Sequence, residues 1–260
     1  MTSADGTRIA VERTGSGPPL LLVHGSTADH TRWEPVRPAF AERFTVYAMD
    51  RRGRGESGDE PVYTIEGEVE DVEAVLDEIG DPAHLLGHSF GAIVSLEAAR
   101  RVDDLRSLVL YEPPLPVSDL DPDSEPTLAE MEGLIEDDAR EAALETFFRD
   151  IAGVPPAELD ALRSAPNWPA RVEAVHTVLR EERARKAYAF DGRRFEGLAC
   201  PTLLLVGGET APFHRAVSEV LDGTLPNSRI VVLPGQAHAA MSTAPELFAD
   251  EVLAFLERVE

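Results

Sequence analysis

One cysteine and one lysine stand among 260 residues. With Cys200 alone there is no intramolecular disulfide, which fits a reducing, cytoplasmic setting. Cys200 precedes Pro201 at the head of an apolar run, where a buried small hydrophobe is a plainer reading than a reactive thiol. Long apolar runs are missing too. None approaches the roughly 20 residues that a membrane-spanning helix needs. The opening MTSADGTRIAVERTG lacks a basic region followed by an apolar core, so it is not expected to be a signal peptide. Positive charge is scarce: 24 Lys and Arg face 48 Asp and Glu, a formal net charge of −24. Such a surface repels nucleic acid and anionic lipid, so neither is an expected partner. It also argues against highly anionic substrates. There is no Cys/His cluster, no His-x-x-x-His and no G-x-G-x-x-G after a strand, so no metal and no dinucleotide cofactor is expected.

What remains is an ordinary globular composition, 43% hydrophobic and 28% charged. Apolar runs bounded by turn residues predict strands at 7–15, 18–25, 44–50, 83–89, 105–112, 201–208 and 228–235. Helical spacing between them predicts helices at 32–44, 63–80, 90–102, 212–222 and 245–259. This alternation predicts an α/β fold with a mostly parallel central sheet and helices on both faces. From 113 to about 197 the pattern is helical throughout. The expected organisation is therefore a core of 1–112 and 198–260 with a helical lid, 113–197, inserted between two strands. Strand ends are where such sheets place their ligand sites.

The segment LLGHSFGAIV (85–94) sets Ser89 between Gly87 and Gly91, where a strand ends and a helix begins. A serine on that tight turn is exposed, and the free N–H groups of the following helix point at whatever it attacks. This is the G-x-S-x-G nucleophile elbow in its proper context. Two further segments accompany it: LVHGST (22–27), a strand ending in His-Gly, and PGQAHAA (234–240), a strand followed by a loop histidine.

Together with the turn DRRGRGES (50–57), these motifs make the whole chain resemble the α/β-hydrolase family. The resemblance implies Ser89 as nucleophile and His238 as general base. It implies an oxyanion hole from the backbone N–H groups of Ser26 and Phe90. The acid departs from the common family pattern, Gly-x-x-Asp after the strand that the family counts as seventh. Here VGGETAPF puts Thr210 at that position and Glu209 one residue off, on the opposite face of an extended segment. Glu112 ends the strand counted as sixth, where some relatives carry their acid. Glu112 is therefore preferred over Glu209.

Among other residues, His30 lies just past the oxyanion loop and is a candidate to reach the substrate. Trp33 and Trp168, with Phe147, Phe148 and Phe190, are candidates for an apolar pocket, ordinary core being the plainer reading of each. His24 and His88 are expected to make structural hydrogen bonds; His84, His176 and His214 are expected to be surface or packing residues. Asp50 is expected to order its arginine-rich turn. The implied activity is hydrolysis of a small or medium apolar ester, lactone or thioester through an acyl-enzyme. A serine at the elbow argues against dehalogenase and epoxide-hydrolase chemistry, which need a carboxylate there. Two competing readings keep the fold: hydrolytic C–C bond cleavage on the same triad, and a ligand-binding receptor with little turnover.

Overall fold

Every side chain of Pro19–Val23 is buried. A strand so apolar belongs at the middle of a sheet covered on both faces. The computed structural model, which describes residues 1–117, 120–121, 123–154 and 156–259, places it there as β2. β1 (Val11–Gly15), β3 (Thr45–Met49), β4 (His84–His88), β5 (Ser107–Tyr111), β6 (Thr202–Gly207) and β7 (Ser228–Leu233) complete a seven-stranded sheet in the order β1-β3-β2-β4-β5-β6-β7. All neighbours are parallel except the edge pair β1 and β3. The expected mostly parallel α/β sheet is what the chain forms.

The chain runs from β2 outward to β3, then returns to pair β4 with the other side of β2. The sheet therefore reverses direction between β2 and β4, and crevices at such a reversal receive ligands. One face is covered by α2 (Ile65–Ile79), α3 (Phe90–Ala99) and α9 (Pro212–Asp222); the other by α1 (Arg37–Ala41) and α11 (Pro245–Leu256), preceded by the single turn α10 (Ala240–Thr243). Thr64 caps α2 by accepting the Gly67 N–H, and Gly80 ends it at φ 72°. The helix expected over 32–44 is divided: a 3₁₀ turn, His30–Trp33, precedes α1. Pro38 explains the break, because a proline offers no N–H to continue an upstream helix yet fits a first turn.

Between β5 and β6 lie α4 (Glu125–Glu136), α5 (Arg140–Thr146), α6 (Pro156–Arg163), α7 (Trp168–Glu173) and α8 (Val175–Ala187), with no strand among the described residues. These helices enclose a hydrophobic cluster of their own, including Leu128, Met131, Leu144, Phe148 and Val178. Leu115, Phe195 and Leu198 pack instead into the core beside the sheet. The separately packed part is thus narrower than 113–197. No helix among the described residues is long and apolar enough to cross a membrane.

Buried charge fastens the helical segment to the core. Arg51 pairs with Glu68 of α2 and with Glu181 of α8, and Arg54 pairs with the same Glu181 at 2.6 Å. All four side chains are essentially inaccessible. Arg52 is held by Asp71 at 2.7 Å and Asp5 at 2.9 Å. The run RRGRG, which in isolation could suggest a phosphate site, commits its arginines to internal carboxylates. Removing one member of such a cluster leaves an uncompensated buried charge. Glu181→Ala should therefore lower unfolding stability by about 3–5 kcal/mol in urea titration. Glu132→Ala, at the exposed Arg183–Glu132 pair, should cost about 0–1 kcal/mol.

Candidate active site

β4 and β5 end side by side, His88 opposite Tyr111, and the next residue of each strand is a titratable or nucleophilic one. Ser89 donates its backbone N–H to Tyr111 O at 2.9 Å, and Glu112 donates its own to Leu205 O at 3.2 Å. Both then leave the ladder with positive φ, 53° at Ser89 and 48° at Glu112. Thr27, in the loop after β2, has φ 58°. Three of the four positive-φ non-glycine residues among those described thus meet around one crevice, and backbone strain held by its surroundings concentrates at functional sites.

The elbow packs tightly on the loop after β2. A side chain at Gly91 would overlap the His24 carbonyl, and a Cβ at Gly25 would stand 2.8 Å from Cβ of Ser89. The close approach sets Ser26 beside Ser89 and explains a glycine on each side of the contact. Neither Ser26 nor Phe90 donates its backbone N–H to an acceptor among the described residues. Phe90 opens α3, where first-turn N–H groups lack helical partners. His24 fixes the turn: its Nδ1–H donates to Gly25 O at 2.8 Å while Nε2 accepts the Arg51 N–H at 3.0 Å. Burial, with Arg51 and Arg54 nearby, holds it neutral.

Glu112 is completely buried. One carboxylate oxygen accepts the Gly207 N–H at 2.7 Å, and the other lies 2.6 Å from Nδ1 of His238. Burial alone would raise this carboxyl, but the bond from His238 and the charge there hold it below the usual glutamate range. That bond assigns the proton to Nδ1 of His238 and leaves Nε2 with its lone pair. A side chain at Gly207 would overlap the Gln236 carbonyl, so glycine there lets the loop carrying His238 pass over the end of β6. Tyr111 pins the same loop, donating to Ala237 O and accepting the Ala240 N–H at 3.2 Å. Glu209 is exposed and uses its backbone N–H on Gln236 O.

Two more imidazoles flank His238. His214, from α9, stacks on it with ring centroids 4.7 Å apart and planes 19° apart. His88 lies 4.7 Å away on another side and bonds the His238 carbonyl through Nε2 at 2.9 Å. Burial comes first in lowering both, with the charge of His238 next; His214 falls to about 4 and His88 well below its ordinary value. Neutral neighbours place no cation against His238 when it accepts a proton. The sequence gives His214 no role beyond packing, because nothing local in HRAVSEV marks a stack with residue 238. Glu112, His214 and His238 also offer ligand atoms within 4.8 Å of one another, the spacing of a metal set. The Glu112–His238 bond already occupies two of the three.

The candidates for a substrate pocket are each held by partners of their own. His30 gives Nδ1 to Asp50 at 2.8 Å, and its Nε2 lies 3.6 Å from Glu12. Asp50 also accepts the Glu56 N–H, so it orders the turn as expected. Trp33 is inaccessible, within the cluster that packs α1 and α11 on the sheet. Trp168 stacks on Phe148 at 6.0 Å and donates Nε1–H to Glu141 at 2.7 Å, inside the helical segment's own core.

Comparison with known proteins agrees with this fold. A model described as the alpha/beta hydrolase family matches residues 20–251. The chain is 29% identical to the pimeloyl-[acyl-carrier protein] methyl ester esterase of Aeromonas hydrophila, over 95% of this chain and 99% of that protein. A probable oxidoreductase of Mycobacterium tuberculosis is 41% identical over 106 residues, 38% of this chain, and the match spans only 18% of that protein's length. Among solved structures, an alpha/beta hydrolase from Sphaerobacter thermophilus superposes with a TM-score of 0.86 at 35% identity, covering 98% of each chain.

The proton between His238 and Glu112 can be observed directly. A short imidazole–carboxylate bond should give a strongly downfield ¹H resonance in the resting protein. It should vanish in Glu112→Gln and persist in Glu209→Gln; the opposite pattern would move the acid to Glu209.

Proposed function

Because this chain belongs to the alpha/beta hydrolase family, we propose that it is a serine hydrolase cleaving a carboxylic ester through an acyl-enzyme. The observation that carries this reading is the buried carboxylate of Glu112 bonded to Nδ1 of His238 beside a strained serine elbow. A pure binding protein has no need to bury that charge or hold that backbone. Similarity to a methyl ester esterase over nearly the full length of both chains supports the ester class.

In this mechanism His238 Nε2 takes the Ser89 proton as Oγ attacks the ester carbonyl. Glu112 keeps the imidazole in its tautomer and stabilises the imidazolium that forms. The charge on the carbonyl oxygen is met by the N–H groups of Ser26 and Phe90, both without acceptors among the described residues and one at a helix N-terminus. His238 then returns the proton to the leaving alcohol, and water repeats the cycle on the acyl-enzyme. Lactones and thioesters share every one of these steps. The helices between β5 and β6 serve as a cover to the crevice. This role is supported by Arg171 of α7, whose Nη1–H donates to Thr27 Oγ1 at 3.3 Å across it.

Ser89→Ala should fold normally and lose turnover by on the order of 10⁶-fold, as when a triad nucleophile is removed. A fluorophosphonate probe should label the wild type at Ser89 and leave the variant unlabelled. Glu112→Gln should lower kcat by roughly 10³–10⁴-fold, and Glu209→Gln should change it little. Ester hydrolysis by purified Ser89→Ala at the wild-type rate would sink the assignment.

A further inference from the structure

In a chain with twice as many acids as bases, buried arginines are expected to be neutralised, and most are. Arg51, Arg52, Arg54 and Arg185 each have a carboxylate within ion-pair distance. Arg32 and Arg171 do not, among the described residues. Arg171 is only 8% exposed. Its one side-chain bond among the described residues is the long contact to Thr27 Oγ1, and its Nε is buried without a partner there. Arg32, partly buried in the 3₁₀ turn His30–Trp33, has no side-chain bond among the described residues. The carboxylate whose field reaches Arg171, Asp29, lies beyond ion-pair distance and uses Oδ1 on Thr31.

The two guanidiniums come from different parts of the chain, both beside the loop that follows β2. Arg171 descends from the helical segment onto the residue after Ser26. Arg32 rises from the end of the oxyanion loop and acts electrostatically on His88, next to Ser89; Tyr111, whose hydroxyl pins the His238 loop, acts in turn on Arg32. They sense each other: burial first, then the charge of Arg171, brings Arg32 down to about 10. Two like charges that act on each other in a poorly hydrated place, neither with a carboxylate within ion-pair distance among the described residues, are a site waiting for an anion. Guanidinium forks match carboxylates in shape as well as charge.

We propose that Arg32 and Arg171 together bind a free carboxylate on the substrate, so that the preferred substrate is a half-ester of a short dicarboxylic acid. This inference rests on the serine-hydrolase reading of the same crevice. It reverses the expectation drawn from the net charge. The overall field repels anions at long range, but salt screens it beyond about 10 Å, and within the crevice the Glu112 carboxylate is already answered by Gly207 and His238 while the Arg171 guanidinium has no ion-pair partner among the described residues. Apolar methylenes between the two acid groups remain compatible with the chemistry at Ser89.

The test compares two substrates on the same preparations: the monomethyl ester of a short dicarboxylic acid and its neutral dimethyl ester. The wild type should favour the monoester in kcat/KM. In Arg32→Gln and Arg171→Gln, kcat/KM for the monoester should fall at least 10-fold more than for the diester, roughly the loss expected when a charged hydrogen bond is removed. Arg171→Lys should recover part of the preference. Competitive inhibition by the free dicarboxylate should weaken by about 10-fold or more in both glutamine variants. A wild type without preference, or equal losses on both substrates, would overturn the carboxylate site, because the pair would then serve the oxyanion or the packing. Far-UV circular dichroism and Ser89 labelling of each variant identify a folding failure. Diester turnover that survives Ser89→Ala would instead count against the serine-hydrolase reading.

Discussion

A single buried carboxylate organises the crevice. Glu112 has no access to solvent, so each of its oxygens must find a donor within the protein. The donors come from two later segments, Gly207 at the end of β6 and His238 in the loop after β7. Three pieces of chain far apart in sequence are held at one point, and neighbouring details follow from that. Gly207 lacks a side chain because the histidine loop crosses it closely. Tyr111 is buried with its hydroxyl on the same loop. Glu112 itself adopts a left-handed backbone conformation that a glutamate would otherwise avoid. That geometry is tolerated only because burial, bonding and strand register all specify it together.

Much of this is legible in the sequence, and the reasons differ from residue to residue. Ser89 declares itself locally: the glycines, the preceding apolar strand and the following helix lie within ten residues. Glu112 is reachable through register, since two adjacent parallel strands end at the same level, and the structure places it on His238. Its donor Gly207 has no separate signal. His30, Trp33 and Trp168 stay open as pocket candidates in the sequence because proximity along the chain to the loop after β2, or aromatic character, does not fix a side chain's direction. Asp50 captures His30, and two hydrophobic clusters capture the tryptophans. Arg32, Arg171 and His214 carry no mark at all. Whether an arginine is neutralised cannot be read from a chain with 48 acids, because the answer depends on which of them folding brings within reach.

The crevice also shows charge handled in two opposite ways. Around His238 the neighbouring imidazoles of His88 and His214 are lowered by burial, so neither sets a second imidazolium against it. A few residues away, Arg32 and Arg171 have no carboxylate within ion-pair distance among the described residues. In the proposed reaction the first arrangement protects a proton transfer that recurs in every turnover. On the proposed carboxylate site, the second is answered by the substrate.

The ion cluster under the crevice bears on how interchangeable its parts are. Glu181 belongs to the helical segment, but its partners Arg51 and Arg54 belong to the core turn, and the Arg51 backbone in turn fixes His24 beside Gly25. The helices between β5 and β6 therefore do not form a freely exchangeable cassette. Grafting α4 to α7 from a relative would leave this network standing. Grafting α8 without an acid at residue 181 would leave Arg54 buried without a carboxylate and Arg51 with Glu68 alone, beneath the turn that shapes the loop after β2, so exchange of these helices has a boundary at Val175.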